Sequence, residues 1–237
     1  KFMPMVRNRV WDGKIRLFDS NTGELPAGLI HHLVKFIETR GYNYECVKTK
    51  YGDPIEGARP DPKDVAHFVK DLKLPFEIRD YQFIAVMEAL HKKRGILLSP
   101  TGSGKSLIIY VLAMYWLTRL TTGYKYPQGG RVLVIVPTTS LVEQMSSDLI
   151  SYGCPEGAIH KIYSGKDKKF EQAICISTWQ SIYKLPKDWF LQFGMVIGDE
   201  CHGFKSKSLM NIMNKAIEAE YRYGTTGTLD GTQTHEL

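Results

Sequence analysis

Residues 97–107, LLSPTGSGKSL, set the tightest limit on what this chain can fold into. An apolar run ends in a turn containing Gly102 and Gly104, and the turn leads directly into a helical pattern that begins at Lys105 and Ser106. A strand, a glycine-rich turn and a helix in that order aim several backbone N–H groups and the positive helix end at one point, where a phosphate can sit. Gly102 and Gly104 let the backbone curl around the anion. Lys105 can reach the β and γ phosphates, and the Ser106 hydroxyl can ligate Mg²⁺. The pattern G-x-x-x-x-G-K-[ST] is met except at its first position, where Ser99 stands.

A loop of this kind belongs at the end of a parallel strand, and from residue 94 onward β-rich runs alternate with helical patterns as βαβ units require. RGILLS (94–99), RVLVIVP (131–137), HKIYSG (160–165), AICIST (173–178), MVIGDE (195–200) and YRYGTT (221–226) read as strands. Helices are expected over 105–120, 139–152 and 208–220, each long enough to cross a sheet face. Residues 1–73 read instead as a small α+β unit. In it RVWDGKIRLFD (9–19) suggests a hairpin, and AGLIHHLVKFIETRG (27–41) a helix that stops at Gly41. Residues 50–64 suit a loop, and Pro62 can open a short helix over 62–72. The domain boundary is placed near Leu74 and Pro75.

Hydrolysis at a phosphate loop needs carboxylates to hold the metal and to orient water. The run MVIGDECH (195–202) supplies them. Its strand ends in Asp199 and Glu200, so one carboxylate can hold the metal through water while its neighbour serves as general base. Alone, the pair reads as a solvated loop. With the phosphate loop it reads as an ATPase site.

Composition narrows the class without naming a partner. With 237 residues, 43% of them hydrophobic and 24% charged, the chain can bury one large core or two modest ones. Its net charge of +6 favours anionic partners, but the excess is spread along the chain, with 13 Lys/Arg against 10 Asp/Glu in residues 1–73 and 18 against 15 beyond. No apolar run approaches the roughly 20 residues of a membrane span, and the N-terminus lacks a signal-peptide core. A cytoplasmic location is expected. Cys46, Cys154, Cys175 and Cys201 lie far apart, without the spacing of a zinc site, and read as free thiols.

Six segments in order, RDYQ (79–82), SPTGSGKS (99–106), VPTTSLVEQM (136–145), STWQS (177–181), DECH (199–202) and GTTGTLDG (224–231), resemble the motifs of superfamily 2 helicases. The departures are Ser99, where many relatives have alanine or glycine, and Thr226-Gly227-Thr228, where many have Ser-Ala-Thr. The resemblance implies that residues 74–237 form the first RecA-like domain, a P-loop domain with a parallel sheet flanked by helices, using ATP and Mg²⁺. Gln82 would read the adenine edge, and Arg79, Thr101, Gly102, Ser103, Gly104, Lys105 and Ser106 would complete the nucleotide site. Ser106 and Asp199 would hold the metal. Lys105, Asp199, Glu200 and His202 would carry hydrolysis, while His202, Thr226 and Thr228 would couple it to movement. Pro137, Thr138 and Thr178 would touch the sugar-phosphate backbone of a strand, a task suited to hydroxyls and amides. On residues alone, Thr138 and Thr139 also fit as helix caps and Trp179 as a core aromatic.

The N-terminal segment, with RNRVWDGKIRLFD (7–19) and LPAGLIHHLVKFIETRGY (25–42), resembles the accessory domain of phage UvsW-type helicases, as does PKDWFLQFGM (186–195) ahead of the DECH strand. That resemblance implies DNA as partner, in single-stranded, duplex or branched form, remodelling of recombination or replication-fork structures, and a host-cytoplasm location. It also implies a second RecA-like domain beyond these residues and contact with other recombination or replication proteins. Arg7, Arg9, Lys14 and Arg16 beside Trp11 form a candidate phosphate-binding face, with a solvated hairpin as the bland alternative. An RNA helicase and a P-loop nucleotide-binding module of another class remain the competing readings.

Overall fold

The computed structural model describes residues 12, 16–47, 59–121, 130–163, 167–203 and 206–227. The chain separates into two compact units, Lys1–Gly57 and Ala58–Leu237.

The larger unit is built on six strands, β1 (Arg94–Leu98), β2 (Arg131–Val136), β3 (Ile159–Ile162), β4 (Ile174–Thr178), β5 (Phe193–Gly198) and β6 (Tyr221–Thr226). They form one sheet in the order β1-β6-β5-β2-β4-β3, and every pair is parallel. Each strand of the sequence reading is present. β4 and β5 are buried along their whole length and β2 along all but its first residue, because helices cover both faces of a parallel sheet. Side-chain alternation along a strand divides the core in two. Val132, Val134 and Val136 of β2 face one cluster, and Leu133 and Ile135 face the other.

The first cluster is covered by α2 (Pro62–Asp71), α3 (Asp80–Lys92), α4 (Lys105–Tyr115) and α5 (Thr139–Ser151). α4 is apolar all round, and Leu107 to Ala113 are all buried, as suits a helix packed between neighbours. The helix expected over 105–120 changes character at Trp116, where a π-helical segment, Trp116–Leu120, widens the turn and Trp116 Nε1 donates to Gly130 O at 3.1 Å. Short helices α6 (Trp179–Ile182) and α7 (Lys187–Phe190) and the longer α8 (Ser206–Lys215) flank the second cluster. α8 ends at Lys215, short of the expected Glu220. The Arg222 guanidinium takes the carbonyls of Met213, Ala216 and Ala219 at 2.8–3.0 Å, which turns the following residues back toward β6.

Two further elements differ from the sequence reading. Residues 80–92, read only as a motif, form a full helix, with Arg79 at its N-cap and Lys93 at φ +59 closing it. α2 starts at Pro62 as expected, with Asp61 accepting from Lys63 N at 2.8 Å. It belongs to the larger unit, not to the accessory segment: Val65, Phe68 and Val69 are buried in the first cluster, and Phe68 meets Tyr115 edge-on at 5.0 Å. The division therefore falls between Gly57 and Ala58 instead of near Leu74.

In the smaller unit, a 3₁₀ turn at Ala27–Leu29 leads into α1 (Ile30–Thr39), which ends at Arg40, with its guanidinium 3.8 Å from the Phe36 ring centroid, and at Gly41 with φ +67. The hairpin expected over 9–19 lies mostly outside the described residues, and Asp12 and residues 16–19 form no strand. The four cysteines are unpaired, and burial pushes the Cys154 and Cys175 thiols up. Among the described residues no helix is long and apolar enough to cross a membrane.

Assigning α2 to the larger unit has a direct test. Phe68→Ala should cost about 3–5 kcal/mol in denaturant unfolding of a protein spanning residues 58–237, the range for a buried aromatic truncation. A protein starting at residue 74 should unfold at lower denaturant than one starting at 58, and equal midpoints would overturn the assignment.

Candidate nucleotide site

The phosphate loop spans Ser99 to Gly104, between β1 and α4. Gly102 at φ +78 and Gly104 at φ +80 occupy left-handed backbone that side chains rarely adopt. Gly104 is also pressed from outside, because a Cβ there would overlap Gln82 Nε2. Ser103 is the hub of the loop. Its carbonyl accepts from Tyr81 OH and from Gln82 Nε2, both at 2.8 Å, and its hydroxyl donates to Pro100 O at 2.6 Å. Ser99, the one departure from the motif, is buried and its hydroxyl meets that of Ser103. Gln82 is only 5% exposed, and its Oε1 accepts from Arg79 N at 3.0 Å, so both ends of its amide are engaged.

Lys105 Nζ lies 3.3 Å from Ser99 O and 3.2 Å from Glu200 Oε1. The acidic pair follows β5. Asp199 is 7% exposed, donates its N–H to Ile135 O at 2.8 Å and accepts from Thr225 Oγ1 at 2.5 Å. Burial pushes its carboxyl above the ordinary range, with the Thr225 hydrogen bond opposing. Glu200 has φ +49, a strained conformation for a residue with a side chain. Its second oxygen lies 3.3 Å from His202 Nδ1, and that nitrogen is 2.7 Å from Thr226 Oγ1. Ser99 N donates to Thr226 O at 2.8 Å, and Gly227 lies against Thr101 and Lys105. The structure thus brings together Arg79, Gln82, Thr101, Gly102, Ser103, Gly104, Lys105, Ser106, Asp199, Glu200, His202 and Thr226. Thr228 lies outside the described residues. Sequence reasoning missed Tyr81, Tyr152 and Thr225. Tyr81 lies inside the quoted RDYQ, and Thr225 adjoins Thr226. Tyr152 gives no local signal, yet its hydroxyl is 2.9 Å from Ser106 Oγ.

The residues expected to touch a strand gather at the ends of β2 and β4, which are paired through Val136 and Thr178. Gln180 Nε2 donates to Pro137 O at 3.2 Å and ties the two ends together. Thr138 caps α5, accepting from Leu141 N at 3.4 Å, and remains exposed. Thr178 is 5% exposed with its hydroxyl 2.9 Å from Ser181 Oγ, so Thr138, Ser140 and Gln180 carry the accessible polar groups of this edge. Trp179 packs edge-on against Tyr183, beside the second cluster. In the smaller unit Arg7, Arg9 and Lys14 lie outside the described residues, and Arg16 pairs with Asp12 at 2.5 Å.

Sheet order, phosphate loop and acidic strand end define a RecA-like P-loop domain. Residues 75–231 match the family described as type III restriction enzyme, res subunit, and residues 1–46 match the N-terminal domain of the DNA helicase UvsW. ATP-dependent DNA helicase uvsW of Enterobacteria phage T4 is 36% identical over 97% of this chain and 45% of its own length. DNA 3'-5' translocase XPB2 of Sulfurisphaera tokodaii is 31% identical over 82% of this chain and 42% of its own. A crystal structure of the UvsW helicase from bacteriophage T4 superimposes with TM-score 0.79 at 34% identity, covering 99% of this chain and 82% of that one. The chain belongs to the UvsW-type superfamily 2 helicases, a family that uses nucleotide. It spans about half the length of the curated relatives it matches.

Burial of Asp199 predicts a measurable stability cost. A carboxyl held above its solution value binds its proton more tightly folded than unfolded. Its contribution favours the fold below about pH 3.9 and is lost as pH rises through the raised native value. Without nucleotide, Asp199→Asn should therefore melt higher than the parent at pH 8. The difference should shrink toward pH 4 in calorimetry, and a pH-independent difference would refute the burial cost.

Proposed function

We propose that the larger unit is the first motor domain of an ATP-dependent DNA helicase or translocase, and that the whole protein remodels branched recombination or replication-fork DNA. The observation that carries this reading is the continuous chain of contacts from Ser99 O through Lys105, Glu200 and His202 to Thr226. It joins the phosphate loop, the hydrolytic acid and the end of β6. In this reading Lys105 binds the outer phosphates, which compete with Glu200 for its ammonium. Glu200, once displaced, accepts a proton from the attacking water. His202 and Thr226 carry the change to β6, with Thr228 continuing the path.

The residues fit Mg²⁺ as a partner of the nucleotide. Ser106 and Asp199 offer hard oxygen ligands, and a Ser106 hydroxyl bonded to Tyr152 keeps a lone pair for the ion. No group of three or more acidic, His or Cys ligands occurs among the described residues, which suits an ion held largely by water and phosphate. When bound, Mg²⁺ would neutralise charge on the phosphates.

DNA would lie along the edge formed by Pro137, Thr138, Ser140 and Gln180, with Thr178 buried beneath it, where hydroxyls, amides and the α5 N-terminus suit phosphates without reading bases. The accessory unit, through Arg7, Arg9, Lys14 and Arg16, would hold duplex or branched DNA. This reading places the protein in the cytoplasm, that of the host for a phage gene, beside other recombination or replication proteins. The T4 UvsW and XPB2 relatives are named for DNA, which favours DNA over RNA.

Two measurements test this reading. A protein of these 237 residues should bind Mg-ATP but hydrolyse it about 10³- to 10⁵-fold more slowly than the longer protein, because relatives supply an arginine from the second domain. Lys105→Ala or Glu200→Gln should abolish turnover in the longer protein, with DNA stimulating the parent more than RNA. Fast hydrolysis by the 237 residues alone would refute the half-site reading. DNA affinity should also fall steeply with salt and depend little on sequence, and replacing Arg7, Arg9, Lys14 and Arg16 with alanine should lower the salt slope by about 0.9 for each lost phosphate contact. An unchanged slope would leave that face merely solvated.

A further inference from the structure

We propose that Tyr81 is a positioning residue for nucleotide phosphates, acting with Gln82 through the Ser103 carbonyl. The proposal rests on the nucleotide-site reading above and gives Gln82 a role distinct from reading the base. Tyr81 is 43% exposed, so burying its ring does not explain its placement. Its hydroxyl donates to Ser103 O at 2.8 Å and accepts from Arg79 Nη1 at 3.3 Å, which orients the phenol from behind. Gln82 Nε2 donates to the same oxygen at 2.8 Å, so both lone pairs of that carbonyl are filled.

The geometry of the peptide gives these two bonds their consequence. A trans peptide is planar and holds C=O and N–H pointing opposite ways. The clamp draws Ser103 C=O toward α3 and thereby turns Gly104 N–H to the opposite side, away from Tyr81 and Gln82. Gly104 is the last residue before α4 and sits at φ +80, where a flip of this peptide would otherwise be easy. On the other side of Ser103, the hydroxyls of Ser99 and Ser103 meet and Ser103 Oγ donates to Pro100 O, fixing the rest of the turn. Ser99, in the position where the motif has glycine, thus completes the same clamp. Gln82 is occupied at both ends of its amide and 5% exposed, so it acts on the loop before any base arrives.

The clamp therefore sets affinity for the phosphates, whatever base they carry. The test measures Mg-ADP, Mg-GDP and Mg-tripolyphosphate binding by calorimetry for the parent, Tyr81→Phe, Ser99→Ala and the double variant, with melting of each protein without ligand. Tyr81→Phe should weaken ADP, GDP and tripolyphosphate by one common factor, about 3- to 10-fold for a lost hydrogen bond. The ADP/GDP ratio and the ligand-free melting temperature should stay unchanged. Ser99→Ala should weaken the same three ligands, and the double variant should lose less than the product of the single losses, since both act on one loop. Loss of ADP binding with tripolyphosphate unaffected would make Tyr81 a base contact and overturn the proposal, as would unchanged affinities or a matching drop in melting temperature. A parent that binds none of the three ligands would instead refute the nucleotide-site reading, and the proposal with it.

Discussion

The site depends on one topological fact, the insertion of β6 between β1 and β5. Parallel pairing sets Leu98 against Thr226 and Gly198 against Gly224, so the chain leaving β1 and the chain leaving β5 both emerge beside the end of β6. From that placement follow the Ser99 N to Thr226 O hydrogen bond, the Thr225 bond to Asp199 and the His202 contact with Thr226. Residues more than a hundred positions apart become one network because three strand ends share an edge. In an open parallel sheet the crevice at the carboxyl ends of the strands is where ligands bind.

Electrostatics then give this edge its character. One ammonium, Lys105, lies near two carboxylates, one buried and one held at a strained φ. Burying Asp199 disfavours its charged form, and the Thr225 hydrogen bond opposes this most, with Lys105 adding a smaller share. Polyanionic phosphate would bring negative charge to the same point and compete for that ammonium. In the proposed reading, phosphate would compete with Glu200, whose Oε1 lies 3.2 Å from Lys105 Nζ. Side chains near the loop hold its peptide groups, Tyr81 and Gln82 at Ser103 O and Ser103 Oγ at Pro100 O.

Much of this was legible in sequence. Strand runs such as RVLVIVP and MVIGDE are long, apolar and β-branched, and a phosphate loop admits few alternatives for the strand and helix around it. Long-range consequences were not legible. α2 reads as part of the N-terminal segment because nothing local reveals that Phe68 meets Tyr115. The helix expected to reach Glu220 stops at Lys215 because of an arginine seven residues further on. Thr178 looks like an available hydroxyl at a strand end, yet Ser181 claims it and the surrounding fold buries it. Ser99 looks like a defect in a motif, and only the folded loop reveals its partner.

The two halves of the sheet edge meet in a stiff element. β2, β4 and β5 are buried almost throughout, and close-packed interiors transmit displacement instead of absorbing it. β5 bears Asp199 at its end, and its neighbour β2 leads to Pro137, whose carbonyl Gln180 holds from beyond β4. Asp199 N is itself bonded to Ile135 O of β2. A change of charge around Asp199 is therefore one backbone hydrogen bond away from the strand that ends at the hydroxyl edge. The hydrogen-bonded ladder of the sheet thus ties the Asp199 end of β5 to the strand that leads to Pro137, without any side chain between them.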